Sequence, residues 1–223
     1  AKVLNVIWTA SKDGYLKPRV QIEPVILSGV TIEYTTGFNG KFIEEHKIGM
    51  GAVIRLIRSG DVIPHIVDII QPAKQGQMPS VPYEWNETQV DVMLYNKEND
   101  IGVREKNITL FFSTLDVDGL GAGNVKKIMT AGFDSVAKIL KMSETDFLKV
   151  DGFKERMAKK IKESIVAKIE QATLPALMHA SNLFGRGFGI KKLKLILDTY
   201  PLILTKTYHP AKKLDMLKEI VSM

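Results

Sequence analysis

The 223-residue chain contains no cysteine. That absence excludes disulfides, thiolate zinc sites and cysteine catalysis, and it fits a reducing compartment. Long apolar runs are missing too. No run approaches the ~20 residues needed to cross a bilayer, and the N-terminus carries no signal-peptide pattern. Histidine is scarce. His46, His65, His179 and His209 show neither metal-ligand spacing nor paired carboxylates. A P-loop, a nucleophile elbow and a two-metal acidic cluster are all absent. The two tryptophans, Trp8 and Trp85, read as core residues rather than base-stacking platforms. No complete active site is visible.

What is present is charge, unevenly placed. Residues 1–112 hold 12 Lys+Arg against 13 Asp+Glu, and residues 113–223 hold 19 against 12. The whole basic excess therefore lies in the second half. A phosphate-rich partner is one reading; a lysine-rich helical surface kept soluble by charge is the other.

Residues 2–72 read as β. Val3, Val6, Ile7 and Trp8 form a first run, and "SKDG" at 11–14 reads as a hairpin turn. "YLKPRVQIEPVIL" alternates, with Leu16, Val20, Ile22, Val25 and Leu27 as inward positions. "GVTIEYTT" is another strand, and "AVIRLIRSGDVIPHIVDII" gives two more around Ser59-Gly60-Asp61. "KFIEEHKIG" predicts a short helix between them. Short strands in about seventy residues suggest a small barrel, an OB-fold or an SH3-like one. Residues 73–83 are linker-like in composition, and 84–107 are polar and poorly patterned. A helix follows with Ile108, Phe111, Phe112 and Leu115 on one side.

From residue 116 the chain is helical and repeats itself. Gly119-Leu120-Gly121, Gly152-Phe153-Lys154 and Gly187-Phe188-Gly189 each lead into an amphipathic helix, at spacings of 33 and 35 residues. A hydrophobic residue flanked by glycine between helices is the helix–hairpin–helix pattern. Glycine admits positive φ and close approach of backbone to a phosphate. The following helix N-terminus offers unpaired N–H groups and a positive dipole. Lys126, Lys127, Lys154, Arg186, Lys191 and Lys192 add attraction that is blind to sequence. The alternative is that these turns only pack helices.

The second repeat contains "KVDG" at 149–152, which has the K-x-D-G form of a nucleotidyl lysine. Such a lysine follows a β-strand in a large nucleotide-binding domain. Here both flanks are helical, so Lys149 is not expected to be a nucleophile, and no catalytic residue is assigned.

Three stretches carry a family resemblance. "DGYLKPRVQIEPVILSGVTIEYTT", "NGKFIEEHKIGMGAVI" and above all "RSGDVIPHIVDI" resemble the OB domain of NAD-dependent DNA ligases. "STLDVDGLG" and the hairpins after it resemble that family's helix–hairpin–helix domain. The likeness runs from about residue 3 to about residue 205, with Gly60 to Pro64 its most specific block. It implies a multidomain α and β chain: an OB-fold barrel at 1–72, a linker and degenerate zinc-finger-like segment without metal at 73–112, and an all-α helix–hairpin–helix domain at 113–223.

The sequence also departs from the family. The N-terminal nicotinamide-recognition and adenylation domains and the terminal BRCT domain are not in this sequence, and the family's last hairpin is missing or degenerate after "LDTYPLILTKTYHP". No zinc-binding cysteines stand in residues 79–107, where apolar packing around Trp85, Val90 and Ile101 is expected instead. The family's Arg-Ala-Thr-Leu-His-Asn becomes Tyr34-Thr35-Thr36-Gly37-Phe38-Asn39, of which only Thr36 and Asn39 match. These two are carried over as DNA-binding candidates, with Arg58 and Asp61 of the matched block, whose plain reading is a charged β-turn.

The resemblance implies a division of labour. An adenylation domain or subunit elsewhere would bind NAD and pass AMP to a nick, while this chain, inactive alone, would clamp nicked double-stranded DNA in repair or replication. The sequence is then an excised piece or one subunit of a split or divergent viral ligase, cytoplasmic (in the host cytoplasm if phage-encoded) and without a membrane partner. The competing reading is a free-standing OB plus helix–hairpin–helix module for duplex or branched DNA. "RSGDVIP" favours the ligase.

Overall fold

Alternation, a phase slip and two closing hydrogen bonds build the first half of the protein. The computed structural model describes residues 1–60 and 63–222. Two units form, 1–103 and 104–223, dividing inside a helix. The first unit contains β1 (Val3–Ala10), β2 (Tyr15–Leu27), β3 (Val30–Thr36), α1 (Gly40–Glu45), β4 (Val53–Ser59) and β5 (Ile63–Gln71).

In β2, Leu16, Val20 and Ile22 are fully buried, whereas the next inward residues are Val25 and Leu27. The apolar phase slips by one residue between Ile22 and Val25. A β-bulge in the β2–β3 register lies in the same interval, where Pro24 has no N–H to donate. The bulge lets one long strand turn the same apolar row inward on both sides of a bend.

β2 pairs antiparallel with β1 and β3, β3 meets β5 in parallel at Thr36 and His65, and β5 pairs antiparallel with β4. Lys2 bridges to Val53, and the Ala1 and Ile54 backbones exchange hydrogen bonds of 2.8 and 2.9 Å. The circuit β1-β2-β3-β5-β4 is thus closed, with one helix between β3 and β4, which is the OB-fold. Closure leaves few free sheet edges. The barrel core is Val3, Val20, Ile22, Ile54 and Ile66, with Ile43 and Ile48 from α1 and its exit.

Residues 73–83, linker-like in composition, are held against this barrel. Gln77 N–H donates to the Ile48 carbonyl at 2.8 Å, and Trp8 Nε1 donates to the Gln77 carbonyl at 2.9 Å. A methyl at Gly76 would run into the Ile43 carbonyl. A small hairpin follows, β6 (Tyr83–Trp85) and β7 (Val92–Leu94), with β7 extending the sheet beside β2. Trp85 packs here against a cluster of Leu16, Val92, Leu94 and Val103. Val90 is half-buried, but Ile101 is 70% exposed. The expected role of Ile101 falls to Val103, whose N–H is capped by Asp100 at 2.8 Å. That cap starts the helix two residues earlier and turns Ile101 outward.

The second unit is all helical. α2 (Ile101–Thr114), which crosses the division, leads into α3 (Ala122–Thr130), α4 (Val136–Lys141), α5 (Glu144–Phe147), α6 (Glu155–Gln171), α7 (Leu174–Ala180), α8 (Ile190–Thr199) and α9 (Pro210–Ser222). Ile108, Phe111, Phe112 and Leu115 are all buried, as the periodicity predicts. They join Leu120, Val125, Ile128, Phe147, Phe153, Ile161 and Ile165 in one core.

Candidate nucleic-acid interface

The three repeat turns share one backbone conformation. Gly119, Gly152 and Gly187 have φ of +80°, +76° and +88°. Two residues later Gly121, Lys154 and Gly189 are the N-caps of α3, α6 and α8, extended at ψ 169°, 165° and 168°. Between them sit Leu120, Phe153 and Phe188. Leu120 and Phe153 are fully buried, so the apolar residue anchors the turn in the core. The left-handed residue reverses the chain, and the extended cap points the following N–H groups outward.

The caps matter most. α1, α4 and α5 are closed by side chains: Asn39, Ser135 and Ser143 accept from Phe42, Lys138 and Asp146 N–H. No side chain caps α3, α6 or α8. Asn124 and Met157 N–H donate to the cap carbonyls of α3 and α6, so it is the first two N–H groups of each helix that are left for another acceptor, and helix dipoles favour an anion there. A Cβ added at Gly121, Gly123, Gly187 or Gly189 would meet nothing within 4 Å, so a phosphate can come close.

Lysines stand at all three turns. Lys126, Lys127, Lys154 and Lys191 are exposed, and no carboxylate pairs with them among the described residues. Lys192 lies 5.4 Å from the Phe188 ring. Lys127 also serves its neighbour, since its Nζ stands 3.1 Å from where a Gly152 Cβ would be. The three sites are unequal. α3 and α8 have no acidic residue in their first turn, whereas α6 has Glu155 there. The first and third hairpins are therefore the stronger anion sites. Sequence alone marked all three alike.

Lys149 is a surface residue in a helical turn after α5. Its Nζ lies 2.8 Å from Asp146 Oδ1, and its side chain is 68% exposed. Lys149, followed by Ser143, holds the Asp146 carboxyl well below the usual carboxylate range. Nothing here shields or orients an ammonium for attack on a phosphorus. Lys149→Ala is expected to leave adenylation by an assembled ligase unchanged; loss of the covalent adenylate in a folded variant would contradict this.

On the barrel, Thr36 Oγ1 accepts from Phe38 N–H at 3.1 Å, and Asn39 Oδ1 accepts from Phe42 N–H at 2.8 Å. Both side chains serve the β3–α1 corner. Asn39→Ala is expected to lower stability by about 1 kcal/mol through the lost cap, read as a shift in the denaturant midpoint. Arg58 continues the inward row of Ile54 and Leu56, while Arg55 points out. Its Nε is buried and has no hydrogen-bond partner among the described residues. Asp61 lies outside the described residues. Among those described, no cluster of three His, Asp or Glu is placed to hold a metal, and no helix is long and apolar enough to cross a membrane.

Comparison with known proteins agrees with this geometry. Residues 1–78 match the NAD-dependent DNA ligase OB-fold domain, and residues 112–166 match a SAM-like helix-hairpin-helix tandem. A DNA ligase of Acanthamoeba polyphaga mimivirus is 45% identical over 204 residues, 92% of this chain and 32% of its own length. A relative from Invertebrate iridescent virus 3 is 38% identical over 195 residues, 87% of this chain and 25% of its own. A DNA ligase of Desulfatibacillum aliphaticivorans is 33% identical over 167 residues, 72% and 26%. The chain thus spans between a quarter and a third of the length of these curated relatives. It is similar over most of its own length to DNA ligases; it carries the OB-fold domain of the NAD-dependent ones and, after it, a helix–hairpin–helix tandem.

Proposed function

We propose that this chain is the DNA-clamping part of an NAD-dependent DNA ligase. The hairpins grip backbone phosphates of a nicked duplex, and the barrel bears on the duplex beside the nick, with Arg58 and Asp61 near the reacting phosphate. NAD binding and AMP transfer belong to an adenylation domain or subunit outside residues 1–223, and the assembled enzyme works in the cytoplasm or a host's cytoplasm. One observation carries the reading: three helices begin without a side-chain cap directly after a left-handed glycine turn, whereas α1, α4 and α5 have a cap and the uncapped α7 has no such turn and carries Pro175 in its first turn. Helices that only pack against each other gain nothing from open N-termini.

Equilibrium binding to nicked duplex, intact duplex and a four-way junction, each at two salt concentrations, tests it. Salt-sensitive duplex binding with the junction no better is the expected result. A strong junction preference would replace the ligase clamp with a branch-binding module.

A further inference from the structure

The third hairpin differs from the other two in what precedes its glycine. At the aligned positions the first two turns carry Leu115 and Val117, then Leu148 and Val150; the third carries Leu183 and Gly185. Val117 and Val150 are buried, but Leu183 is 85% exposed and Phe184 beside it 39% exposed. Asp118 and Asp151, just before the glycine, become Arg186.

This tip is held in place. Asn182, Gly185 and Gly187 have φ of +55°, +73° and +88°, three left-handed residues within six. Ser181 Oγ donates to the Met178 carbonyl at 2.7 Å and accepts from Leu183 N–H at 3.3 Å. Asn182 Nδ2 donates to Asn107 Oδ1 on α2 at 2.9 Å, and His179 Nδ1 lies 3.1 Å from the Phe188 carbonyl. The backbone on both sides is pinned, and the pinned shape leaves two apolar side chains in solvent, with Arg186, Lys191 and Lys192 following in the same turn and the start of α8. Exposed apolar residues followed so closely by cations suit a partner with charged edges and an apolar interior.

We infer that Leu183 and Phe184 enter the minor groove of the duplex whose backbone the third hairpin holds. The inference rests on the reading of the hairpins as phosphate grips. A duplex groove offers phosphates at its rim and apolar sugar faces within. The minor groove, ~6 Å wide, is filled by a two-residue tip, whereas the major groove, ~12 Å wide, would stay hydrated around it. Apolar side chains inserted there add affinity without neutralising phosphates.

The test compares the full chain with the Leu183→Ala/Phe184→Ala variant and with Gly189→Val, on intact duplex across a salt series. The double variant is expected to bind on the order of tenfold more weakly at an unchanged log–log salt slope. Wild-type chain is also expected to prefer inosine–cytosine over guanine–cytosine duplex, which differ only by a 2-amino group in the minor groove, and the double variant to bind the two alike. Unchanged affinity in the double variant, with Gly189→Val still weakened, overturns the inference and leaves the phosphate grip standing. Unchanged affinity in both variants overturns both.

Discussion

Replacing Lys126, Lys127, Lys191 and Lys192 together with alanine is expected to flatten the salt dependence of duplex binding by roughly three to four units of log–log slope. Each lysine that neutralises a phosphate releases about 0.9 of a counterion from B-DNA, so four contacts account for the change. A fourfold rise in salt should then cost the wild-type chain about a hundredfold more affinity than the variant. These four were chosen because they follow the two turns without a first-turn acid, and because no carboxylate pairs with them among the described residues. Lys159 and Lys194, each ion-paired four residues along its helix, are the controls. Their replacement should change the slope less. An equal change from both sets would mean that general surface charge, and not the hairpins, governs binding.

Gly119 and Gly121, neighbours in one turn, are expected to fail in opposite ways. Gly119 has φ of +80°, and a Cβ there would sit 2.8 Å from Ile161 Cγ1. Gly119→Ala therefore combines left-handed strain with a clash against a buried residue of α6, for a loss of about 2–4 kcal/mol in the stability of the helical unit. Gly121 has φ of −73° and open space around it. Gly121→Val should still fold, losing no more than about 1 kcal/mol for valine at an N-cap. Its side chain would stand where a phosphate must come, at a cost of about ten- to a hundredfold in duplex affinity. Thermal unfolding and duplex titration of both variants separate the two effects. Wild-type affinity in a folded Gly121→Val would make this turn scaffold only.

How far the sequence could be read follows from how local each determinant is. The barrel strands and the buried face of α2 were legible because period-2 and period-3.6 patterns are local. So were the three hairpins, even the second, where lysine replaces the second glycine: only the first glycine needs a positive φ. The inward row in β2 was legible, but its phase slip at Pro24 became a bulge only once the β3 partner was present. Long-range contacts hid the rest. Residues 73–83 looked like a linker because much of their hold on the barrel runs through backbone groups and the Trp8 N–H, and the scattered side chains that help, Ala73, Gln77 and Met78, form no periodic pattern. Ile101 looked like a core residue because nothing local tells a helix's first, exposed position from its second turn. The inequality of the hairpins depended on caps and first-turn acids, visible only after the helix starts were fixed. The exposure of Leu183 had no local signal, because only the folded turn points it outward.

Phosphate ethylation interference on a nicked duplex measures the central claim most directly. The account predicts that ethylation at a few discrete backbone positions on either side of the nick blocks binding. It also predicts that Gly121→Val and Gly189→Val each erase a separate subset of those positions. Interference spread evenly along the backbone, or a pattern unchanged in both variants, would contradict the claim that these hairpin turns hold the DNA.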